Sequence, residues 1–302
     1  MPAKKLYVVG NGFDLYHKIR SSYGEFGAYV KVANSSLHDT FENYFSFEGN
    51  WSSLEETLAH LDVDLILDEA SDFLVSYGAE DWSDAYHHDY QYEVARIVEL
   101  LSKELKGEFT NWIHGLEIPD AQSCGVPLLP LDATALYLNF NYTNTLQRLY
   151  GISEHQVLHI HNSAADTVSD LILGHAYSPA DIKSLNHGAN LEDQDVRVTE
   201  ANKILDEYFS RTYKPTAQIL RSHKEFFAGL AGVSEIYVVG HSLSEVDRPY
   251  IREIVNATKY AHPKWVVTYY KSDSIPTLKE SLLSAGVMDG AAKFVQIAQL
   301  PA

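Results

Sequence analysis

Leu6-Tyr7-Val8-Val9-Gly10-Asn11-Gly12-Phe13-Asp14-Leu15 decides the fold. Four apolar residues in a row read as a strand buried on both faces, since a strand with one wet face would alternate apolar with polar. The two glycines that follow allow a sharp turn and a close approach of backbone to a ligand. A helix starting there offers free N–H groups to an anion, so phosphate binding is the physical expectation. The spacing is not the G-x-G-x-x-G dinucleotide fingerprint, because its third glycine would fall at Leu15. A plain tight turn with Asp14 as helix cap explains the same residues equally well.

Further short apolar runs bounded by Gly, Asn or Asp lie at Ala135–Phe140, Val157–His161, Leu171–Leu173, Ile236–Val239, Trp265–Tyr270 and Phe294–Ile297. Together with Leu6–Val9 they predict an α/β fold: a Rossmann-like, mostly parallel sheet of about six or seven strands flanked by helices. About 125 helix-rich residues separate the first two runs. Ser52-x-x-Glu55 is a capping-box pattern ahead of Leu54, Leu58 and Leu61, and Val94, Ile97, Val98, Leu101, Leu105 and Phe109 keep helical periodicity. The expected division is a core domain of residues 1–34 and 125–302 with a helical insertion at 35–124. A second helical stretch is expected at about 197–231.

The chain has 302 residues, 45% of them hydrophobic, which suffices for a large core. Its 41 acidic and 23 basic side chains leave a formal charge of −18, which repels phosphate backbones and anionic lipid at long range and argues against nucleic acid as a partner. A local basic patch such as Arg211, Lys214, Arg221 and Lys224 is a candidate grip on nucleic acid, and a solvated helix face accounts for it better. One cysteine, Cys124, excludes an internal disulfide and a cysteine-only zinc site, and suits the cytoplasm. The apolar run after Lys5 is far too short for a signal peptide, and no run approaches the roughly 20 apolar residues of a membrane span, so no membrane association is expected.

Three further motifs carry chemistry. Asn139-Phe140-Asn141-Tyr142-Thr143 puts amides and hydroxyls just beyond a strand, at the edge where open α/β sheets bind ligands. His159-Ile160-His161 places two histidines on one strand face with His161 at the carboxyl end, where an imidazole can take or give a proton near neutral pH. No further ligand stands at a metal spacing, so no metal is expected. Gly240-His241-Ser242-Leu243-Ser244 with Asp247 is a second ligand-facing turn. Gly240 permits close approach, Ser242 can bond a phosphate or ribose, and Asp247 can cap the next helix or accept ribose hydroxyls. Gly-x-Ser also suggests a serine nucleophile at Ser242, although Ser244 stands where that motif wants glycine. Leu173-Gly174-His175 is a shorter echo of the same strand-to-glycine step.

Taken in their order along the chain, these motifs resemble the AbiH family of bacteriophage abortive-infection proteins, and Tyr16 to Phe26 is similar to the stretch following the glycine turn in that family. That family in turn resembles, more distantly, sirtuin-like NAD-binding domains. Asn162 stands where those domains carry glycine after the histidine, and asparagine tolerates the left-handed backbone.

The resemblance implies an antiviral defence protein that binds a nucleotide, with NAD as substrate or ligand and cleavage of the nicotinamide–ribose bond as its reaction. Catalysis would fall to His161 as general base and to Asn141, which would hold a ribose hydroxyl or orient water. The nucleotide-binding set it implies is Gly10, Asn11, Gly12, Phe13, Asp14, Asn139, Thr143, Gly240, Ser242 and Asp247, the last two on the adenosine side. A phage-derived trigger and assembly into a homo-oligomer are the partners it leaves open. A non-enzymatic nucleotide sensor and a serine hydrolase using Ser242 are the competing functions.

Overall fold

The computed structural model describes residues 4–46, 50–80, 83, 87–166, 168–188 and 194–301. Its sheet contains β1 (Lys5–Val9), β2 (Leu136–Asn139), β3 (Val157–His159), β4 (Glu235–Val239), β5 (Lys264–Tyr269) and β6 (Ala292–Gln296). The spatial order is β3-β2-β1-β4-β5-β6, and every pairing is parallel. This is the expected Rossmann-like α/β sheet, with six strands.

Alternation explains why the strands read as unbroken apolar runs. Leu6 and Val8 point into one core with Leu138, Ile236, Val238 and Val267, while Tyr7 and Val9 point into another with Tyr137, Tyr237 and Val239. A parallel sheet covered by helices on both faces needs apolar residues at every position. Register places three tyrosines side by side. Tyr7 stacks on Tyr137 and Tyr237 with ring centroids 5.0 and 4.8 Å apart. Burial holds the Tyr7 hydroxyl up at about 12.

Leu171–Leu173, expected as a strand, is not one. The Ile172 N–H donates to His161 O at 3.1 Å, and beyond it regular pairing is limited to an isolated parallel bridge of His175 with Tyr213. Three apolar residues with so little ladder to join are too few to extend the sheet. β3 ends at His159, two residues earlier than expected, because the Asn162 N–H turns back onto His159 O at 3.2 Å. The capping-box helix is also short. A 3-10 turn over Asn50–Ser53 precedes a four-residue helix, Leu54–Thr57, whose N-cap is Ser53. The stretch around 197–231 forms three helices, Val196–Arg211, Thr216–Ser222 and Lys224–Ala228, broken by Thr212–Pro215.

The chain divides into two compact units. One holds the sheet (residues 1–22, 113–172 and 215–302), and the other is helical (23–112 and 173–214). The helical unit is thus assembled from two excursions, one after β1 and one after β3. It contains 26 acidic and 9 basic residues, a net of −17, against 15 and 14 in the sheet unit, a net of −1. The sheet unit therefore opposes an anionic ligand hardly at all by its own net charge.

Arg211 and Lys214 do not form the basic patch considered from sequence. Both belong to the helical unit, where Arg211 pairs with Glu99 and Glu207, and the fully buried Lys214 Nζ lies 2.6 Å from Glu55 Oε1. Truncating one partner of a buried pair leaves the other charge in a poor solvent, so Lys214→Met should cost about 3–5 kcal/mol. Urea unfolding would show it. Restoration of stability by the double change with Glu55→Gln would assign the loss to the orphaned carboxylate. Among the described residues no helix is long and apolar enough to cross a membrane.

Candidate functional site

Strand order reverses between β1 and β4, so a crevice for ligands is expected outside their carboxyl ends, between the turns at Gly10 and Gly240. The two turns are in backbone contact. The Gly10 N–H donates to Val239 O (3.0 Å), the Gly12 N–H to Gly240 O (2.7 Å) and the Phe13 N–H to Gly10 O (2.9 Å). A Cβ on Gly240 would stand 2.2 Å from Phe13 N, and Gly240 is left-handed at φ +64. These glycines let two backbones approach each other, and the Gly12 and Phe13 amides are bonded within the protein. Asn11 ties down the following segment: its Nδ2 donates to Ser21 O at 2.9 Å and its Oδ1 accepts from Ser21 Oγ at 2.5 Å. Phe13 is a core residue, packed at 4.5 Å on the His17 ring.

The end of β2 is stitched to the same turn. Asn141 Nδ2 donates to Gly10 O (3.1 Å), the Asn141 N–H donates to Asn139 Oδ1 (3.1 Å), and Thr143 Oγ1 donates to Asp14 Oδ2 (2.5 Å). Asp14 is fully buried inside its helix and caps nothing. Burial pushes its carboxyl up to about 6, against the hydroxyls of Thr143 and Thr145 and the amide of Asn141, which favour the ionised form.

The two histidines of the third motif part company. His159 Nδ1 lies 3.0 Å from Asn141 O and its Nε2 lies 3.1 Å from the Gln147 amide, a structural arrangement in which burial lowers its pKa. His161 sits in the turn beyond the strand, followed by Asn162 at φ +66, the left-handed conformation that asparagine tolerates. Its Nε2 is 3.8 Å from Asp247 Oδ1. Phe140 and Tyr250 pack edge-on against its ring at 5.4 and 5.6 Å, and Tyr142 lies at 6.3 Å, so only 3% of the residue is exposed.

Asp247 occupies the N-cap position of the helix Arg248–Thr258 without a side-chain cap bond. Its carboxylate turns instead to the histidines, with Oδ2 3.5 Å from His241 Nε2 and accepting from Ser244 Oγ at 3.3 Å. The Leu243 N–H donates to His241 Nδ1 at 2.8 Å, and Leu243 is itself left-handed at φ +56. Ser242 is exposed, and the next helix starts only at Arg248. The strand–turn–helix that presents a serine nucleophile is therefore not formed around it.

Segments at the carboxyl ends of four strands thus converge: Gly10–Asp14 after β1, Phe140–Thr143 after β2 with Asn139 as its last residue, His161 after β3 and Gly240–Asp247 after β4. Asn11, Gly12, Gly240 and Ser244 form the partly exposed edge of this cluster. His175 belongs to the helical unit, buried beside Phe209 and Tyr213, and burial lowers its pKa to about 4. His241, Phe140, Tyr142 and Tyr250 were not singled out from sequence. His241 carried the clearest signal, since it directly follows Gly240 at a strand end. The aromatic residues look like any core residue until the fold packs them on His161. Among the described residues no group of three or more His, Cys, Asp or Glu is arranged to hold a metal ion.

A family model described as bacteriophage abortive infection AbiH matches residues 6–269. No curated protein and no solved structure matches the chain.

Proposed function

The chain belongs to the bacteriophage abortive infection AbiH family, and from that premise we propose that it acts in antiviral defence through a nucleotide-binding rim that hydrolyses the nicotinamide–ribose bond of NAD. The observation carrying this reading is that Asn141 is bonded to the β1 turn and His161 lies beside Asp247 of the β4 turn, the two turns that flank the strand-order reversal. Nicotinamide leaves as a neutral base with the bonding electron pair, so positive charge develops on the ribose. His161 takes a proton from water as the new bond to the anomeric carbon forms. Asn141, its amide nitrogen donating to Gly10 O, offers its carbonyl oxygen to a ribose hydroxyl. A well-placed base contributes roughly 10²–10⁴ in rate.

The second reading is a nucleotide sensor without turnover. It is favoured by the internal bonding of the Gly12 and Phe13 amides and by the near-complete cover over His161. Purified protein incubated with NAD, with and without phage lysate, separates the two when free nicotinamide is followed. Nicotinamide release that falls by roughly 10²-fold or more in His161→Ala, and also in Asn141→Ala, supports hydrolysis. Calorimetric binding of NAD with no release over hours supports the sensor, and neither binding nor release removes both.

A further inference from the structure

We propose that Asp247 is the positioning residue of His161, holding the imidazole in its Nε2–H form so that Nδ1 carries the reactive lone pair. The catalytic purpose of this pair rests on His161 being the base proposed above. The tautomer itself does not.

His241 fixes the arrangement. Its Nδ1 lies 2.8 Å from the Leu243 N–H, and an amide N–H only donates, so that nitrogen is the acceptor. A neutral imidazole has one ring proton, which therefore sits on Nε2, facing Asp247 Oδ2 at 3.5 Å. Leu243 makes this bond in the left-handed conformation, a strained one for a leucine that its surroundings hold. Ser244 Oγ donates to the same carboxylate oxygen. With two donors converging on Oδ2, Oδ1 is the oxygen that faces His161 Nε2.

An ionised carboxylate only accepts, so the favourable group opposite Oδ1 is an N–H. His161 then holds its proton on Nε2 and its lone pair on Nδ1. The side chains of His161 and Asp247 are 4% and 10% exposed, so little water screens the preference. Groups against His161 include Asp247 from the loop after β4, Tyr250 from the helix that follows, and Phe140 and Tyr142 from the end of β2, while His241 shares Asp247 and the Phe140 ring with it. This role is additional to the ribose or cap contact read from Asp247's place beside the helix start and to the adenosine-side contact that the resemblance implies.

Side-chain ¹⁵N NMR of the full chain tests the assignment without any substrate. Neutral His161 should appear as the Nε2–H tautomer. Asp247→Asn should lower its titration midpoint by about one unit or more, as loss of a nearby opposite charge does, and Asp247→Glu should restore most of the shift. An Nδ1–H tautomer, or a midpoint unmoved in Asp247→Asn, overturns the proposal. Should Asp247→Asn not fold, the tautomer of the unsubstituted protein decides. No NAD cleavage alongside an Nε2–H imidazole would remove the reaction and leave this assignment standing. Cleavage with an Nδ1–H imidazole would do the reverse.

Discussion

Gly240→Ala should leave the chain without a stable fold, a loss above about 4 kcal/mol. Two costs combine. A side chain at φ +64 carries a left-handed penalty of roughly 1–2 kcal/mol. The larger cost is steric, because the new Cβ would stand 2.2 Å from Phe13 N and 2.4 Å from the Gly12 carbonyl carbon. Both are backbone atoms that cannot swing aside. The β1 and β4 turns are locked at this separation by the bonds from Gly12 N–H to Gly240 O and from Gly10 N–H to Val239 O. Gly151 supplies the control. It has the same φ of +64 with nothing within 4 Å of its Cβ, so Gly151→Ala should cost only the conformational part. Soluble yield and urea midpoints of the two variants measure the difference, and equal costs would mean that the two turns do not touch.

Asp14→Asn should stabilise the protein by about 3 kcal/mol at pH 7.5 and by far less at pH 4. The folded carboxyl titrates at about 6, above its usual 3.8, so the folded state binds the proton more tightly than the unfolded chain. That contribution is fully present below the unfolded value and is lost as pH rises through about 6. Asparagine keeps an oxygen for the Thr143 hydroxyl and has no charge to bury. The wild-type curve alone will not display this slope. His17, His159 and His175 are lowered by burial, and they oppose it by losing stability as pH falls below the ordinary histidine range. The measurable quantity is therefore the difference between the two proteins, followed by chemical denaturation from pH 4 to 8. A difference independent of pH would show that Asp14 is not the buried acid described here.

Much of the fold was legible in local chemistry. Leu6–Val9 and Ile236–Val239 could hardly be anything but doubly covered strands, and a glycine after each could hardly be anything but a turn at the sheet's carboxyl edge. Where local reading failed, the deciding quantity was a neighbour distant in the chain. Leu171–Leu173 has the residues of a strand and finds too little ladder to join. Lys214 looks like part of a surface patch until Glu55, 159 positions earlier, is placed against it in the interior. The −18 charge reads as a property of the whole chain, yet nearly all of it belongs to the helical unit.

The candidate site divides in the same way. Which residues stand at the rim follows from the order of apolar runs and turns, because a parallel strand must end where its pattern ends, with whatever comes next at its carboxyl edge. Gly10, Asn141, His161 and Gly240 were placed there by that rule alone. What each rim residue touches depends on a few ångströms of separation between segments dozens of residues apart, set by side-chain packing and turn geometry that no local pattern encodes. Only the tertiary structure turned Asp247 toward His161 and His241, directed the glycines after β1 against Gly240, and closed aromatic rings over the imidazole.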